Sequence, residues 1–444
     1  MKTINVYKLI YDIPSGEGNI NIVDASGGNS TLNIAFETLL PFANHVSKEV
    51  FDFFTISASV YGIDRFVERK HNSVDGWSRE LKVSFPVHNP SKWNACKEEV
   101  NKLLSFLTGD YWNVEFRKDV FELPKANLDE KYAVPFEQVN LLSGGLDSLI
   151  GALDFLKQNP QKKVLFVSHY DPQMRGVLKD QGKIIPRLEQ EYPNQFAYVP
   201  SIRVMLHKDS KVTREKTFRS RSILFVGLAL MAAEATKTKY IIIPENGTVS
   251  LNFPLSTSRR SSCSTRTTHP FVLENLMSIW NKLSITTDIS NPYEFKTKGE
   301  MVICCLKNNP LLLDLIESSN SCGKRGHVKD WGNRNATHCG VCMPCIYRQA
   351  ALLNIKDKTD YGNLINDLFP NKEKNDKAQD CGAMLDFLSN LITKEEIKQE
   401  LIVGGVKNLG KLNQYVDVIW RTRDELKQWV KKGGNSTIKL KAGV

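Results

Sequence analysis

The chain has no apolar run long enough to cross a bilayer. The longest, residues 223–233, falls well short of the roughly 20 residues a spanning helix needs, so no membrane partner is expected. Residues 1–13 interleave polar with apolar side chains and contain no continuous core of a secretory signal. A cytoplasmic location is therefore the expectation, with cysteines as thiols or metal ligands rather than disulfides. A Walker A loop is also missing: the nearest approach, from Gly176 to Gly182-Lys183, carries one residue too many. There is no GxGxxG, no internal repeat and no long low-complexity segment.

What is present is an ordinary globular composition, 41% hydrophobic and 24% charged, which excludes collagen-like, disordered and disulfide-miniprotein classes. At about 150 residues per domain, 444 residues suggest roughly three structural units. The net charge of +10 suits nucleic acid, ATP or an acidic partner and does not choose among them.

Residues 1–118 read as an α+β domain. Segments 4–13, 51–60, 80–87 and 111–116 are rich in β-branched and aromatic residues and are predicted strands. Residues 91–107 place Trp93, Val100, Leu103, Leu104 and Leu107 at helical spacing, with Ser91 or Asn89 as cap. Residues 119–138, polar and holding Pro124 and Pro135, read as a linker. From 139 to 352 the rhythm becomes α/β. Strands are predicted at 138–142, 163–168, 195–200 and 240–243, and helices at 148–157, 177–192 and 221–235. That alternation implies a parallel sheet covered on both faces, with ligands at the carboxyl ends of its strands. Residues 353–444 read as a helical extension (382–392, 394–402, 409–426) with a basic tail of Lys427, Lys431, Lys432, Lys439 and Lys441.

The first α/β strand runs into Ser143-Gly144-Gly145-Leu146-Asp147-Ser148, and a helix follows. Two glycines let the backbone turn toward an oxyanion, while serine hydroxyls and helix N-terminal amides point at it. Asp147 fits a phosphate cradle when a cation, Mg²⁺, lies between. A second pattern is Cys322 with Cys339, Cys342 and Cys345 in Cys-Gly-Val-Cys-Met-Pro-Cys. Two Cys-x₂-Cys steps and one returning cysteine make a closed four-sulfur set, the pattern of structural Zn²⁺. An Fe–S cluster is the minor alternative, lacking a cysteine among Ile346, Tyr347 and Arg348. His327 and His338 are close enough in sequence to replace a ligand. Cys96, Cys263, Cys304, Cys305 and Cys381 show no ligand spacing.

The loop matches SGGxDS, the signature of the PP-loop ATP pyrophosphatases, and a late zinc turn behind it resembles the layout of the QueC family, the 7-cyano-7-deazaguanine synthases. Further stretches agree across residues 136–352. Arg221-Ser222-Ile223-Leu224-Phe225 is similar to the family's R-N-x-x-F-L helix, and Glu245-Asn246-Gly247 occupies its substrate-side loop. Thr297-Lys298-Gly299-Glu300 resembles its T-K-x-E step, and Ser321-Cys322-Gly323 its S-C-Y. The resemblance implies a PP-loop (adenine nucleotide alpha hydrolase-like) core that splits ATP between the α and β phosphates and adenylates a 7-carboxy-7-deazaguanine-type carboxylate. A nitrogen nucleophile then attacks. On it, Ser143, Gly144, Gly145, Leu146, Asp147 and Ser148 hold pyrophosphate and Mg²⁺. Asp147, Lys298 and Arg221 are the catalytic candidates, and Glu245, Asn246 and Arg266 lie on the substrate side.

The chain departs from that pattern in its extensions, in the long interval between Cys322 and Cys339, and at residues 251–270. There Thr265-Arg266-Thr267-Thr268-His269-Pro270-Phe271 stands where the family has D-C-R-P-x-F. The extensions resemble QueC-like components of bacterial anti-phage systems, those of the Qat system and type IV CBASS, which implies a partner protein whose amine replaces ammonia. Two other classes remain open. One is a PP-loop enzyme that modifies tRNA, with Cys263 as a candidate nucleophile and Arg203, Lys208, Lys211, Arg214, Lys216, Arg219 and Arg221 as a basic run. The other is a non-catalytic nucleotide-binding scaffold of a defence complex.

Overall fold

The N-terminal residues alternate buried apolar with outward polar side chains, and the chain folds there into a meander. The computed structural model describes residues 1–174, 176–207, 214–256, 266–367 and 375–444. Strands β1 (Lys2–Val6), β2 (Ile10–Asp12), β3 (Glu17–Asp24) and β4 (Asn29–Ala35) open the chain. β3 pairs antiparallel with β1, β2 and β4, burying Ile20 and Ile22 while Asn21 accepts from Thr31 at 2.8 Å on the other face. β5 (Glu80–Val87) then joins β1 in parallel, and β6 (Tyr111–Lys118) joins β5.

The second half of the sheet is parallel throughout. In β7 (Gln138–Leu141) and β8 (Val164–Tyr170), Val139, Leu141, Leu165 and Val167 enter one buried cluster, while Val164 and Phe166 enter another on the opposite face. Strands apolar on both faces need cover on both. With β9 (Phe196–Leu206), β10 (Tyr240–Ile242) and β11 (Asp288–Ser290) the order is β11–β10–β7–β8–β9. β9 outruns its partner: its first residues pair with β8, and Val204–Leu206 continue antiparallel to β4. Among the described residues, eleven strands thus form one mostly parallel sheet in a mixed α/β fold. Residues 119–138 carry little regular structure but pack down, Tyr132 against Phe42 and, through its hydroxyl, on the Tyr198 carbonyl at 3.1 Å.

The expected strand at 51–60 is instead the middle of a helix, Lys48–Phe66, capped by Ser47. Every residue from Val50 to Phe66 is buried, so no amphipathic period marks it, and short apolar runs cannot be assigned by period alone. Its serines spend their hydroxyls internally, Ser57 on the Phe53 carbonyl at 2.7 Å and Ser59 on that of Thr55 at 2.6 Å. The expected helix at 91–107 is split into Pro90–Asn94 and Lys97–Thr108, because Cys96 leaves helical geometry at φ −117°, ψ 16°. The C-terminal helices Asn375–Ser389, Lys394–Val403, Leu412–Gly433 and Ser436–Ala442 share a core with the cysteine turn. No helix among the described residues is long and apolar enough to cross a membrane. Lys208, Lys211, Cys263 and Thr265 lie outside the described residues.

A buried ion network fastens the N-terminal half. Arg79, wholly inaccessible, bonds Asp64 and Asp110 at 2.6 Å each, and Arg69 bonds the same two carboxylates. Burial opposes the charge on Asp64, but Arg79 and Arg69 hold its carboxyl below the ordinary value. Removing one carboxylate leaves two buried guanidiniums to share the other. Asp110→Ala is therefore expected to cost about 3–5 kcal/mol, read as a lowered urea midpoint with the slope unchanged.

Candidate functional site

β7 and β10 are neighbours, yet the chain leaves β7 toward β8 and leaves β10 toward β11 on the other side. Such a reversal opens a crevice at the carboxyl ends of the two strands. The Ser143–Ser148 segment lies at that end of β7. Gly144 takes φ +85°, and Gly145 caps the Leu146–Gln158 helix. The Ser143 and Ser148 hydroxyls sit 3.0 Å apart, and Ser143 Oγ accepts the Gly145 amide at 3.3 Å. The loop is closed from outside: the Asn320 amide donates to the Gly144 carbonyl at 2.9 Å, and Ser321 Oγ accepts the Leu146 amide at 3.4 Å. Leu146 itself is fully buried and anchors the helix.

β10 delivers Glu245 and Asn246 to the other wall. Asn246 donates to Asp147 Oδ2 through its amide at 3.2 Å and its side chain at 2.6 Å, and Lys298 pairs with Asp147 Oδ1. Lys298 opens the Lys298–Asn308 helix, whose start is fixed by a Thr297–Glu300 capping box. Two residues of the Leu412–Gly433 helix brace that start: Glu425 accepts from Thr297 Oγ1, and Arg421 Nε donates to Glu300 at 2.7 Å. Glu245 accepts from Thr268 Oγ1. Burial, with the Asp147 charge adding, pushes its carboxyl up to about 7 against the pull of Thr268 and Lys298.

Arg221 stands at the carboxyl end of β8, its Nε donating to His169 Nε2 at 3.0 Å. Burial and the Arg221 charge press His169 well below its ordinary pKa, so it is the neutral acceptor. Arg266 is not part of this gathering. Its guanidinium lies over the Phe106 ring at 4.5 Å and bonds the Phe106 carbonyl at 2.9 Å, and Thr268 is the residue that meets Glu245. The structure therefore joins Asp147, Lys298 and Asn246, sets Glu245 beside them, and turns Arg266 toward the Lys97–Thr108 helix. Sequence reasoning did not single out Thr268, Asn320, His169 or Glu425. Only the Thr297–Glu300 box carried a local signal, its T-x-x-E spacing. Of the basic run, Arg203 pairs with Glu17, Arg219 lies on the Trp77 ring, and Arg221 faces His169, so these three do not form one stripe.

The four cysteines converge. The sulfurs of Cys322, Cys339, Cys342 and Cys345 all lie within 4.8 Å of one another, with 3.9 Å between Cys339 and Cys345. A tetrahedral zinc with 2.3 Å bonds sets its sulfurs about 3.8 Å apart, so the group could hold such an ion. The backbone is shaped for it: Val341 and Cys342 amides point at Cys339 Sγ at 3.4 and 3.3 Å, and the Cys339 amide points at Cys322 Sγ at 3.3 Å. Gly340 sits at φ +84°, where a Cβ would come within 2.1 Å of the Asn363 carbonyl. The histidines turn elsewhere, His338 to Thr337 and His327 to Asp330.

Compared with known proteins, the chain matches no family model, no curated protein and no solved structure.

The purified chain should carry equimolar zinc by atomic emission. Cys342→Ser should lower that content and the thermal midpoint together, whereas Cys304→Ser should change neither. A second expectation concerns Glu425, which burial raises to about 7. A carboxyl raised in the folded state binds more protons than the unfolded chain between about pH 4.5 and 7, so its contribution to stability falls as pH rises through that window. Glu425→Gln should flatten this loss, gaining of the order of 1 kcal/mol over the parent at pH 8 relative to pH 5 in denaturant titrations.

Proposed function

We propose that the chain is an ATP-dependent carbon–nitrogen ligase of QueC-like chemistry. What carries the reading is the meeting of Asp147, Lys298 and Asn246 around a Gly-Gly loop in the crevice between β7 and β10. The motif order along residues 136–352 supports it further.

In this reading a carboxylate oxygen of a 7-carboxy-7-deazaguanine-type acid attacks the α-phosphorus of ATP. The bond to the bridging oxygen breaks, pyrophosphate leaves, and an acyl adenylate forms. A nitrogen nucleophile then adds to the acyl carbon, loses a proton, and expels AMP. The loop amides and the Ser143 and Ser148 hydroxyls hold the departing pyrophosphate, and Lys298 offsets its developing charge. Asp147 is the carboxylate that would hold a Mg²⁺ carried in with the nucleotide, which supplies further charge neutralisation. Glu245, with its carboxyl near 7 and its place beside Asn246, is the group to accept the proton from the nitrogen. The closed cysteine site is structural and takes no part in the steps.

Incubation with ATP and 7-carboxy-7-deazaguanine, plus either ammonia or a candidate partner protein, should yield AMP and pyrophosphate in equal amounts. An amide, a nitrile or a protein adduct should appear by mass spectrometry. Asp147→Asn is expected to lower AMP release by at least about 100-fold. Unchanged AMP release in that variant, or no AMP under any acceptor, would overturn the reading.

A further inference from the structure

The N-terminal region, residues 1–118, sends two side chains to the carboxyl end of β8. Tyr61 and Arg65 lie one turn apart on the Lys48–Phe66 helix, and both are buried. Tyr61 donates to Asp171 Oδ2 at 2.6 Å, and its ring lies edge-on to His169 at 6.0 Å. Arg65 lies 4.0 Å over the Phe218 ring and donates to Gln173 Oε1 at 2.5 Å and to the Glu215 carbonyl. Arg214 and Arg221, both half-buried, come within electrostatic range of the same Asp171.

Among the described residues the donors here outnumber the acceptors. Arg65 Nε, Arg214 Nη2 and Arg221 Nη2 are buried with no hydrogen-bond partner, and His169, whose Nε2 accepts from Arg221, is the neutral ring beside them. The charges are unequal as well. Among the described residues Asp171 is one carboxylate among three guanidiniums, and the Tyr61 hydroxyl is held neutral by burial and by Asp171 itself. The Glu215 carboxylate is turned to the backbone amides of Arg69, Lys216 and Thr217. Burial lowers the pKa of both Arg214 and Arg221, and a desolvated guanidinium with unmet N–H groups calls for an anion.

We infer that Arg65, Arg214 and Arg221, with His169 behind them, form an oxyanion subsite that the N-terminal residues 1–118 help to build. The guanidinium fork fits the paired oxygens of a carboxylate or a phosphoryl group. The two sources of that chemistry are the phosphate of a nucleotide and the carboxylate of an acid substrate. The subsite rests on this geometry and not on the adenylation reading, which enters only through the choice of acid probe.

Calorimetric titration of the full-length chain with inorganic phosphate, AMP and 7-carboxy-7-deazaguanine tests it. At least one probe should bind the parent. Arg221→Gln and Arg214→Gln should each weaken that binding about 10-fold or more, the loss of one charge-assisted bond. Arg65→Lys, which keeps the charge and loses the fork, should weaken it several-fold. Arg187→Gln, at an exposed arginine on another helix, should bind as the parent does. Loss confined to AMP assigns the subsite to the nucleotide phosphate, and loss confined to the acid assigns it to the substrate carboxylate. A parent that binds none of the three probes, or arginine variants that bind as the parent does, would overturn the inference. A parent without turnover that still shows these losses leaves the subsite standing and removes the ligase reading alone.

Discussion

The architecture turns on the crossing of two helices, Lys48–Phe66 and Arg221–Ala235. Each is buried nearly all round, and an all-round apolar helix must be covered on every side. Here each helps cover the other. Gly227 allows the approach: a Cβ there would come within 2.9 Å of Ser57 Cβ and 3.3 Å of Phe54 Cα. The pair is pinned at both ends. Ser47, capping the first helix, donates to Glu234 near the end of the second, and Asp64 near the end of the first accepts from Ser220 just before the second. The N-terminal half is therefore fixed in register against the helix that begins with Arg221, which is why Tyr61 and Arg65 fall at the carboxyl end of β8.

The crevice depends on a second chain of supports. Asp147 is held by residues from far along the sequence, Asn246 after β10 and Lys298 at a helix start. Lys298 is set by the Thr297 cap, and that cap is braced by Glu425 from the C-terminal extension. The cysteine turn acts on the other side. Asn320 accepts the Cys322 amide at 2.9 Å through its side chain while its own amide closes on Gly144. An ion held by the four cysteines would fix Cys322 and with it the segment that shuts the loop.

The parts of this arrangement that were legible in sequence are those whose signal is local. The Gly-Gly loop sits between a strand and a helix within a few residues, and three of the four cysteines share one short turn. The Arg221–Ala235 helix was read with its observed bounds, from length and apolar content. The Lys48–Phe66 helix was not legible, because burial on every side removes the period that separates helix from strand. Strands β3 and β4 went unread beneath their asparagines, although Ile20, Ile22, Leu32 and Ile34 keep a period of two. The meeting of β9 with β4, the Glu425 brace and the reach of Tyr61 are tertiary facts joining residues too far apart for any local pattern.

The net positive charge takes on a different meaning against this structure. Several of its arginines are structural donors. Arg348 is buried on the Ile316 carbonyl, Ser319 and Thr359, and Arg423 gathers the carbonyls of Phe387, Leu388 and Asn390. Arg117 likewise bonds the Ser84 and Val6 carbonyls. Guanidiniums used in this way keep their charge but spend their N–H groups on neutral acceptors within the fold. At the carboxyl end of β8, among the described residues, several arginines meet around a single acid and keep N–H groups without acceptors. Under the subsite proposed above, the matching ligand is a small oxyanion.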